Sequence, residues 1–249
     1  MKVSILCCYY NRPNMVRFAL NSIKKQSYKN WELIFVDDSS IVPGEPIVRE
    51  ILSDDLDKIK FYNTNDPDKK EGNGESVFGK YWNNGSLESN SDISIMLCDD
   101  DALMPNYLEK LVQWYKDNPN KNYSYCHLNI FDPYTIKSLD DIGLNTDYIL
   151  NHTSDIHPYS MLDSSQVSWK TDAIRTHGVR FPSPKTSSLD AILYSQLASI
   201  YGLCPFNGII GQCKGVHSDQ LNVKEGKYLK GEVSSDKMYN IEDVTFLPS

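Results

Sequence analysis

Ile93-Ser-Ile-Met-Leu-Cys98 runs without a spacer into Asp99-Asp100-Asp101. The run is short and apolar, the length of a buried strand. The acids fall where that strand ends, which gathers several negative oxygens at one edge of a sheet. Such a cluster repels itself unless a cation or hydrogen-bond donors face it. Oxygen ligands suit Mg²⁺ or Mn²⁺, and Mg²⁺ in particular binds one or two carboxylates together with substrate phosphates. The bland alternative is an acidic turn feeding a helix, whose N-terminal dipole favours negative charge. The flanking sequence decides between the two.

Upstream, strand and helix patterns alternate. Val3-Ser-Ile-Leu-Cys-Cys8 is a second buried-strand run, broken by Asn11-Arg-Pro-Asn14. Val16, Ala19, Leu20 and Ile23 then recur at helical spacing. Glu32-Leu-Ile-Phe-Val36 is another strand, closed by Asp37-Asp38-Ser39-Ser40. Val48, Ile51 and Leu52 suggest a helix, Ile59 to Tyr62 a strand, and Ser76 to Leu87 a weakly patterned helix. A polar loop separates the last two, from Asn63 to about Gly74. Beyond the acids, Met104-Pro105 opens a helix bearing Leu108, Leu111, Val112 and Tyr115 on one face. This alternation predicts a mostly parallel sheet covered on both faces. Ligands bind such sheets outside the carboxyl ends of the strands. Tyr9-Tyr10-Asn11, Asp37-Asp38 and Asp99 to Asp101 all fall at such ends.

The second half is less regular. Tyr123 to Phe131 and Gln166 to Lys170 read as strands, and Ile209-Ile210 as the core of a last one. Leu189, Ile192, Leu193, Gln196, Leu197 and Ile200 make a helical stripe with Asp190 in its first turn. The segment from Asp132 to Asp163 has few periodic signals, and a stretch of that length is expected to be a functional loop or lid. A polar, Lys-rich tail is expected from Lys214 onward.

The 249 residues suffice for one large domain, and 40% hydrophobic content supplies its core. A net charge of −8 gives no general attraction to nucleic acid, which is an unexpected partner on that ground. No apolar stretch approaches the roughly 20 residues of a membrane span. The chain starts directly in a strand pattern with no basic-then-apolar leader. A cytoplasmic protein is therefore expected, peripheral at the membrane if its acceptor is lipid-linked. The six cysteines form no C-x-x-C pair, so zinc and dithiol chemistry gain no support. Asn122-Tyr-Ser124 and Asn151-His-Thr153 match the glycosylation acceptor pattern and are read as chance matches.

Three segments together resemble the family-two glycosyltransferases. They are Val3-Ser-Ile-Leu-Cys-Cys-Tyr-Tyr-Asn-Arg-Pro13, Ala19 through Gln26-Ser-Tyr28 to Asp37-Asp-Ser-Ser40, and Leu97-Cys-Asp-Asp-Asp-Ala-Leu-Met-Pro105. The match is dense over the first ~115 residues and sparse beyond. The resemblance implies a GT-A fold: a Rossmann-like nucleotide-binding half with a mostly parallel central sheet, over residues 1–115. It is fused to a less regular acceptor-binding half carrying the catalytic base, over 116–213, with 214–249 as a tail or lid. It also implies an inverting transfer of a sugar from a nucleotide-diphosphate donor, UDP-sugars being favoured, with Mn²⁺ or Mg²⁺ as cofactor.

Carried over by matched position, the resemblance places the nucleobase on Tyr10 and Asp38, with Cys8 lining that pocket through its backbone. An aromatic ring stacks on a base and a carboxylate accepts a base N–H, so the assignment is chemically sound. Asp99 would face the ribose, Asp100 would be the main metal ligand, and Asp101 an alternative or supporting one. His217, in Gly215-Val-His-Ser218, resembles a late histidine that ligates the metal or contacts the diphosphate. Asp190 falls at the general-base position, although Leu189 stands where the family has Glu. Such a base removes the acceptor hydroxyl's proton as the anomeric carbon is attacked. Trp169 and Lys170 lie where the family places an acceptor-facing strand. Trp82 could stack on a sugar, and Lys80 and Lys185 could neutralise phosphate, against the default of a buried ring and solvated lysines. The acceptor is open: a glycan, a lipid-linked intermediate or a protein. Two rival readings remain. A nucleotidyltransferase lacks support from any Gly-rich, Lys-bearing phosphate loop near residue 10. A non-catalytic nucleotide or sugar binder on the same fold is the other.

Overall fold

The structure is a computed structural model that describes residues 1–70, 77–148, 150–159, 161–182 and 189–217. Lys185, Ser76, part of the Asn63–Gly74 loop and the tail beyond His217 lie outside the described residues.

The apolar runs quoted above become strands. They are β1 (Val3–Tyr9), β2 (Trp31–Asp37), β3 (Ile59–Asn63), β4 (Ile93–Cys98), β5 (Ala102–Leu103), β6 (Tyr123–Phe131), β7 (Val167–Lys170) and β8 (Phe206–Gly215). The helices are α1 (Met15–Lys24), α2 (Glu45–Ile51), α3 (Pro67–Lys70), α4 (Phe78–Leu87), α5 (Tyr107–Asp117), α6 (Asp172–Arg175) and α7 (Leu189–Tyr201). All eight strands join one sheet in the order β3-β2-β1-β4-β7-β6-β8-β5. β3, β2, β1 and β4 are mutually parallel. β7 then runs antiparallel to β4 and to β6, β8 runs parallel to β6, and β5 runs antiparallel to β8. The sheet is thus parallel in its first half and mixed in its second.

Side chains alternate across the strands, and this sorts them into two cores. Val3, Ile5, Cys7, Leu33, Phe35, Ile93, Ile95 and Leu97 pack with α1, α2 and α5 on one face. Leu6, Ile34, Val36 and Met96 pack with α4, α6 and α7 on the other. Because β1, β2 and β4 are covered on both sides, their sequences are nearly continuous apolar runs rather than alternating ones. The sheet also has a switch point. From β1 the chain moves outward to β2 and β3, then returns to add β4 on β1's other side. A crevice at the carboxyl ends of β1 and β4 follows from that topology.

The segment from Asp132 to Asp163 is fastened rather than loose. Ile136, Leu139 and Ile142 pack on Ala102, Phe131 and Cys213. Asn151 clamps the edge of β6, accepting from the Leu128 N–H and donating to its carbonyl, each at 2.8 Å. That use of the Asn151 amide accords with the chance reading of its glycosylation pattern. Ile156 forms a bridge to Cys204. All six cysteines are free.

Candidate active site

Strand geometry explains how distant residues meet. β4 ends at Cys98, and Asp99 to Asp101 lead at once into β5, which pairs with β8 through Ala102–Cys213 and Leu103–Gln212. The acids therefore face the residues that follow Cys213. Gly215 N–H donates to Asp101 Oδ1 at 3.0 Å, and Lys214 Nζ lies 3.4 Å from Asp101 Oδ2. His217 Nε2 reaches Asp100 Oδ2 at 3.1 Å. A Cβ at Gly215 would stand 2.0 Å from the Asp100 carbonyl oxygen, so only glycine permits this approach.

The other side of the crevice is the turn after β1. Tyr10 N–H donates to Asp99 Oδ2 at 3.0 Å, which ties β1 to β4 across the switch point. Arg12 Nη1 bridges two acids, at 3.0 Å from Asp99 Oδ1 and 2.9 Å from Asp100 Oδ2. The turn is shaped by Asn11 in the left-handed region, at φ 53°, which asparagine tolerates better than most residues. Asn11 Oδ1 accepts from Ile41 N–H at 2.7 Å, and Ser40 Oγ accepts from Asn11 N–H at 3.1 Å, so the turns after β1 and β2 hold each other. Asp37 Oδ1 and Oδ2 accept from Ser40 N–H and Gly44 N–H, both at 2.8 Å, which makes Asp37 a loop support. Its neighbour Asp38 is also buried, and Thr64 Oγ1 donates to its Oδ1 at 3.3 Å.

The electrostatics separate the three acids. Burial pushes Asp99 up to about 6, although Arg12 pulls it back. Burial also pushes Asp101 up to about 7, against the opposing pull of Lys214. Asp100 is buried too, but its contacts with His217, Arg12 and Lys214 outweigh burial and hold it below the ordinary carboxylate range. Of the three acids, Asp100 alone has its proton affinity lowered. Burial opposes the charge of Lys214, but Asp101 and Asp163 restore it and raise its affinity for the proton.

Asp100 Oδ2 and His217 Nε2 are neighbours and together offer a carboxylate and an imidazole to a divalent cation. Cys98, Asp100 and Asp101 also have ligand atoms within 4.8 Å of one another. A thiol is a soft donor, however, and matches Mg²⁺ or Mn²⁺ less well than oxygen or imidazole donors do. The donor set fits a cation held by Asp100 and His217.

Asp190 opens α7, where Ala191 N–H donates to its Oδ1 at 2.8 Å. Burial raises its pKa, and the charge on Asp163 adds to the rise. Asp163 links the helix to the acids. Lys214 Nζ lies 3.2 Å from Asp163 Oδ1, and Tyr194, one turn beyond Asp190, donates to the Asp163 and Ser164 carbonyls at 3.2 and 3.0 Å. Ser165 Oγ completes the link by donating to Asp101 Oδ2. Leu189 is buried among Phe181, Leu193 and Trp82, so the departure from the family's Glu is a core contact.

The structure thus brings together Tyr10, Asp99, Asp100, Asp101 and His217, and sets Cys8 and Asp38 at the carboxyl ends of β1 and β2. It does not bring Trp169 or Lys170 to the site. β7 runs antiparallel to β4, so Lys170 pairs with Ile93, at the opposite end of β4 from the acids. Its ammonium donates to the Pro119 carbonyl at 2.7 Å. Trp169 is wholly buried beside Phe181. Trp82 is likewise a core ring, and Lys80 is exposed to solvent. Sequence reading missed Arg12, Asp163, Ser165 and Lys214. Arg12 sits inside the quoted Tyr-Tyr-Asn-Arg-Pro motif, which was the available signal. Lys214 was assigned to the tail because nothing local marks it as the end of a strand.

Residues 4–159 match the model of Glycosyl transferase family 2. The chain belongs to that family. Curated relatives each match about half of the chain. One is a GalNAc(5)-diNAcBac-PP-undecaprenol β-1,3-glucosyltransferase of Campylobacter jejuni, 30% identical over 51% of this chain and 37% of that protein. An uncharacterized glycosyltransferase of Haemophilus influenzae is 32% identical over 49% of this chain and 37% of its own length. The chain therefore spans little more than a third of these relatives. Among solved structures, S. aureus TarS 1–349 in complex with UDP-GlcNAc superposes with a TM-score of 0.65 at 14% identity, over 92% of this chain and 62% of that one. The mannosyltransferase PcManGT of Pyrobaculum calidifontis, in complex with GDP-Man and Mn²⁺, gives 0.62 at 14% identity, over 90% and 59%. These likenesses establish the GT-A-type fold expected from the sequence. No helix among the described residues is long and apolar enough to cross a membrane.

Proposed function

We propose that this family-2 chain transfers a sugar from a nucleotide-diphosphate donor to an acceptor hydroxyl with inversion at the anomeric carbon. The observation that carries the reading is Asp100, held ionised at the carboxyl end of β4 and touched by His217, beside a turn that Tyr10 and Asp99 tie across the switch point.

Tyr10 and Asp38 flank the carboxyl ends of β1 and β2 and take the nucleobase, with the Cys8 backbone beside them. Asp99 has one oxygen on Tyr10 N–H and the other on Arg12, so it orders this turn while its remaining lone pairs face the ribose. Asp100 and His217 would hold a divalent cation, which when bound would supply charge neutralisation for a departing nucleoside diphosphate. One imidazole beside a carboxylate favours Mn²⁺ over Mg²⁺, which prefers an all-oxygen shell. Asp101 supports this pair through Gly215, Ser165 and Lys214. Asp190 takes the acceptor's proton. Burial raises its pKa, which makes it a stronger base than an exposed aspartate. UDP-sugars are the favoured donors, and the GDP-Man complex of a structural neighbour keeps GDP-sugars in the test. A lipid-linked acceptor is favoured over a protein by the undecaprenol-linked substrate of one relative.

Asp190→Asn should abolish transfer, a loss of at least 100-fold, while nucleotide-dependent thermal stabilisation with Mn²⁺ stays within a degree or two of wild type. Asp100→Ala should lose that stabilisation. Turnover retained in Asp190→Asn removes it as the base. Stabilisation by a nucleoside triphosphate alone, with pyrophosphate released, would instead favour nucleotidyl transfer.

A further inference from the structure

We infer that Arg12 is a built-in counter-cation that keeps the acid cluster from holding a divalent cation strongly until a nucleoside diphosphate is bound. The inference rests on the reading above, which places the cation on Asp100 and His217.

The geometry concerns one oxygen. Asp100 Oδ2 is touched by His217 Nε2 at 3.1 Å and by Arg12 Nη1 at 2.9 Å. A cation set between that oxygen and the imidazole shares the oxygen with a guanidinium. Arginine stays protonated throughout the accessible pH range, so it cannot relieve the repulsion by losing its proton. The same Nη1 also lies 3.0 Å from Asp99 Oδ1, which fixes the guanidinium over both acids. The carboxyls are nearly buried, with side-chain exposures of 6% for Asp99 and 7% for Asp100, so water screens the repulsion poorly.

Arg12 itself is a quarter exposed, at 25% of its side chain, whereas the two acids it touches are nearly buried. A diphosphate entering the crevice offers the guanidinium a further anionic partner, for which its fork geometry is suited. Binding that anion lowers the local positive charge, and the cation is then held more strongly. Cation and nucleotide thereby become coupled ligands, each raising the other's affinity by the same factor. Lys214 does not duplicate this role, because it is buried between Asp101 and Asp163 on the far side of the cluster.

The test is direct measurement of Mn²⁺ binding by electron paramagnetic resonance, with Mn²⁺ alone and with saturating UDP or GDP. Wild type, Arg12→Gln, Arg12→Met and Arg12→Lys are compared after their melting curves are checked. Arg12→Met keeps the length of the stem and serves if Arg12→Gln does not fold. The neutral variants should bind Mn²⁺ alone at least tenfold more tightly than wild type. The gain in Mn²⁺ affinity on adding nucleotide should shrink at least fivefold in them. Arg12→Lys, which keeps a positive charge, should stay within about threefold of wild type for Mn²⁺ alone. Unchanged or weaker Mn²⁺ binding in the neutral variants, or undiminished coupling, overturns the inference while leaving the glycosyl-transfer reading intact. Failure of wild type to take up Mn²⁺ with either nucleotide, together with no donor hydrolysis, overturns that reading and the inference with it.

Discussion

Asp99, Asp100 and Asp101 are chemically identical and adjacent, yet the fold gives them three different partners and three different proton affinities. This has a sign that a pH titration of stability can read. For Asp99 and Asp101 the folded pKa lies above the unfolded value, so over about pH 4–7 the native state binds more protons than the unfolded one. Stability contributed by their protonated forms is therefore present at low pH and falls as pH rises through about 6 and 7. Asp100 is lowered instead and contributes no slope in that window, since it is ionised in both states. Asp101→Asn should flatten the metal-free stability slope between pH 5 and 7, each lost proton accounting for at most about 1.4 kcal/mol per pH unit. Denaturant midpoints at stepped pH check this, and an unchanged slope would exclude Asp101 as a protonated buried acid. At Gly215 the constraint is steric. Gly215→Ala should cost about 1–3 kcal/mol and weaken Mn²⁺ binding, because the added methyl collides with the Asp100 carbonyl. The motif that holds Arg12 does not show that its partner is Asp99, 87 positions away, and nothing local marks Lys214, whose partner Asp101 lies 113 positions away.

At the scale of elements, β7 shows how direction overrides motif. Its sequence position resembles an acceptor-facing strand, but its antiparallel pairing with β4 sends Lys170 to the edge opposite the acids. Its inward residue, Trp169, packs with Phe181 in the core that covers α7. Trp169→Ala should therefore destabilise the protein by about 3–5 kcal/mol while leaving the acceptor KM of the folded fraction unchanged. Lys170→Ala should change neither by more than about 0.5 kcal/mol in stability or twofold in rate. A large rise in acceptor KM in either variant, with stability kept, would return β7 to the site. The helices were read more faithfully. The stripes in α1 and α5 face the first core, because a 3.6-residue period is a local property of one segment; in α7 Leu189, Leu193 and Leu197 face the second core together with Tyr194, while Ile200 of the expected stripe is 42% exposed. β5 was not foreseen at all. Two residues carry no periodicity, yet this strand is what turns Asp99 to Asp101 toward β8.

At the scale of the whole molecule, the two halves share one sheet. β4, within residues 1–115, pairs directly with β7 of the later residues, and the chain returns through β8 to the acids. A site assembled by residues from both halves is then a property of the intact sheet. Hydrogen exchange under mild denaturant should show amides of β1, β4 and β6 opening with one common free energy. Separate openings of β1 and β6 would mean that the halves fold as independent units. The sequence by itself determined the alternation of strands and helices, the parallel first half, the family, and which strand ends carry polar chemistry. Those follow from patterns a few residues long, set by side-chain direction and by the burial of both sheet faces. Only the tertiary structure decided which acid has its proton affinity lowered, that Arg12 and His217 meet on one oxygen of Asp100, that Lys214 lies at the end of β8, and that Trp169 and Lys170 face away. Each depends on pairing direction and register between segments far apart in the chain, and on burial that no local pattern encodes.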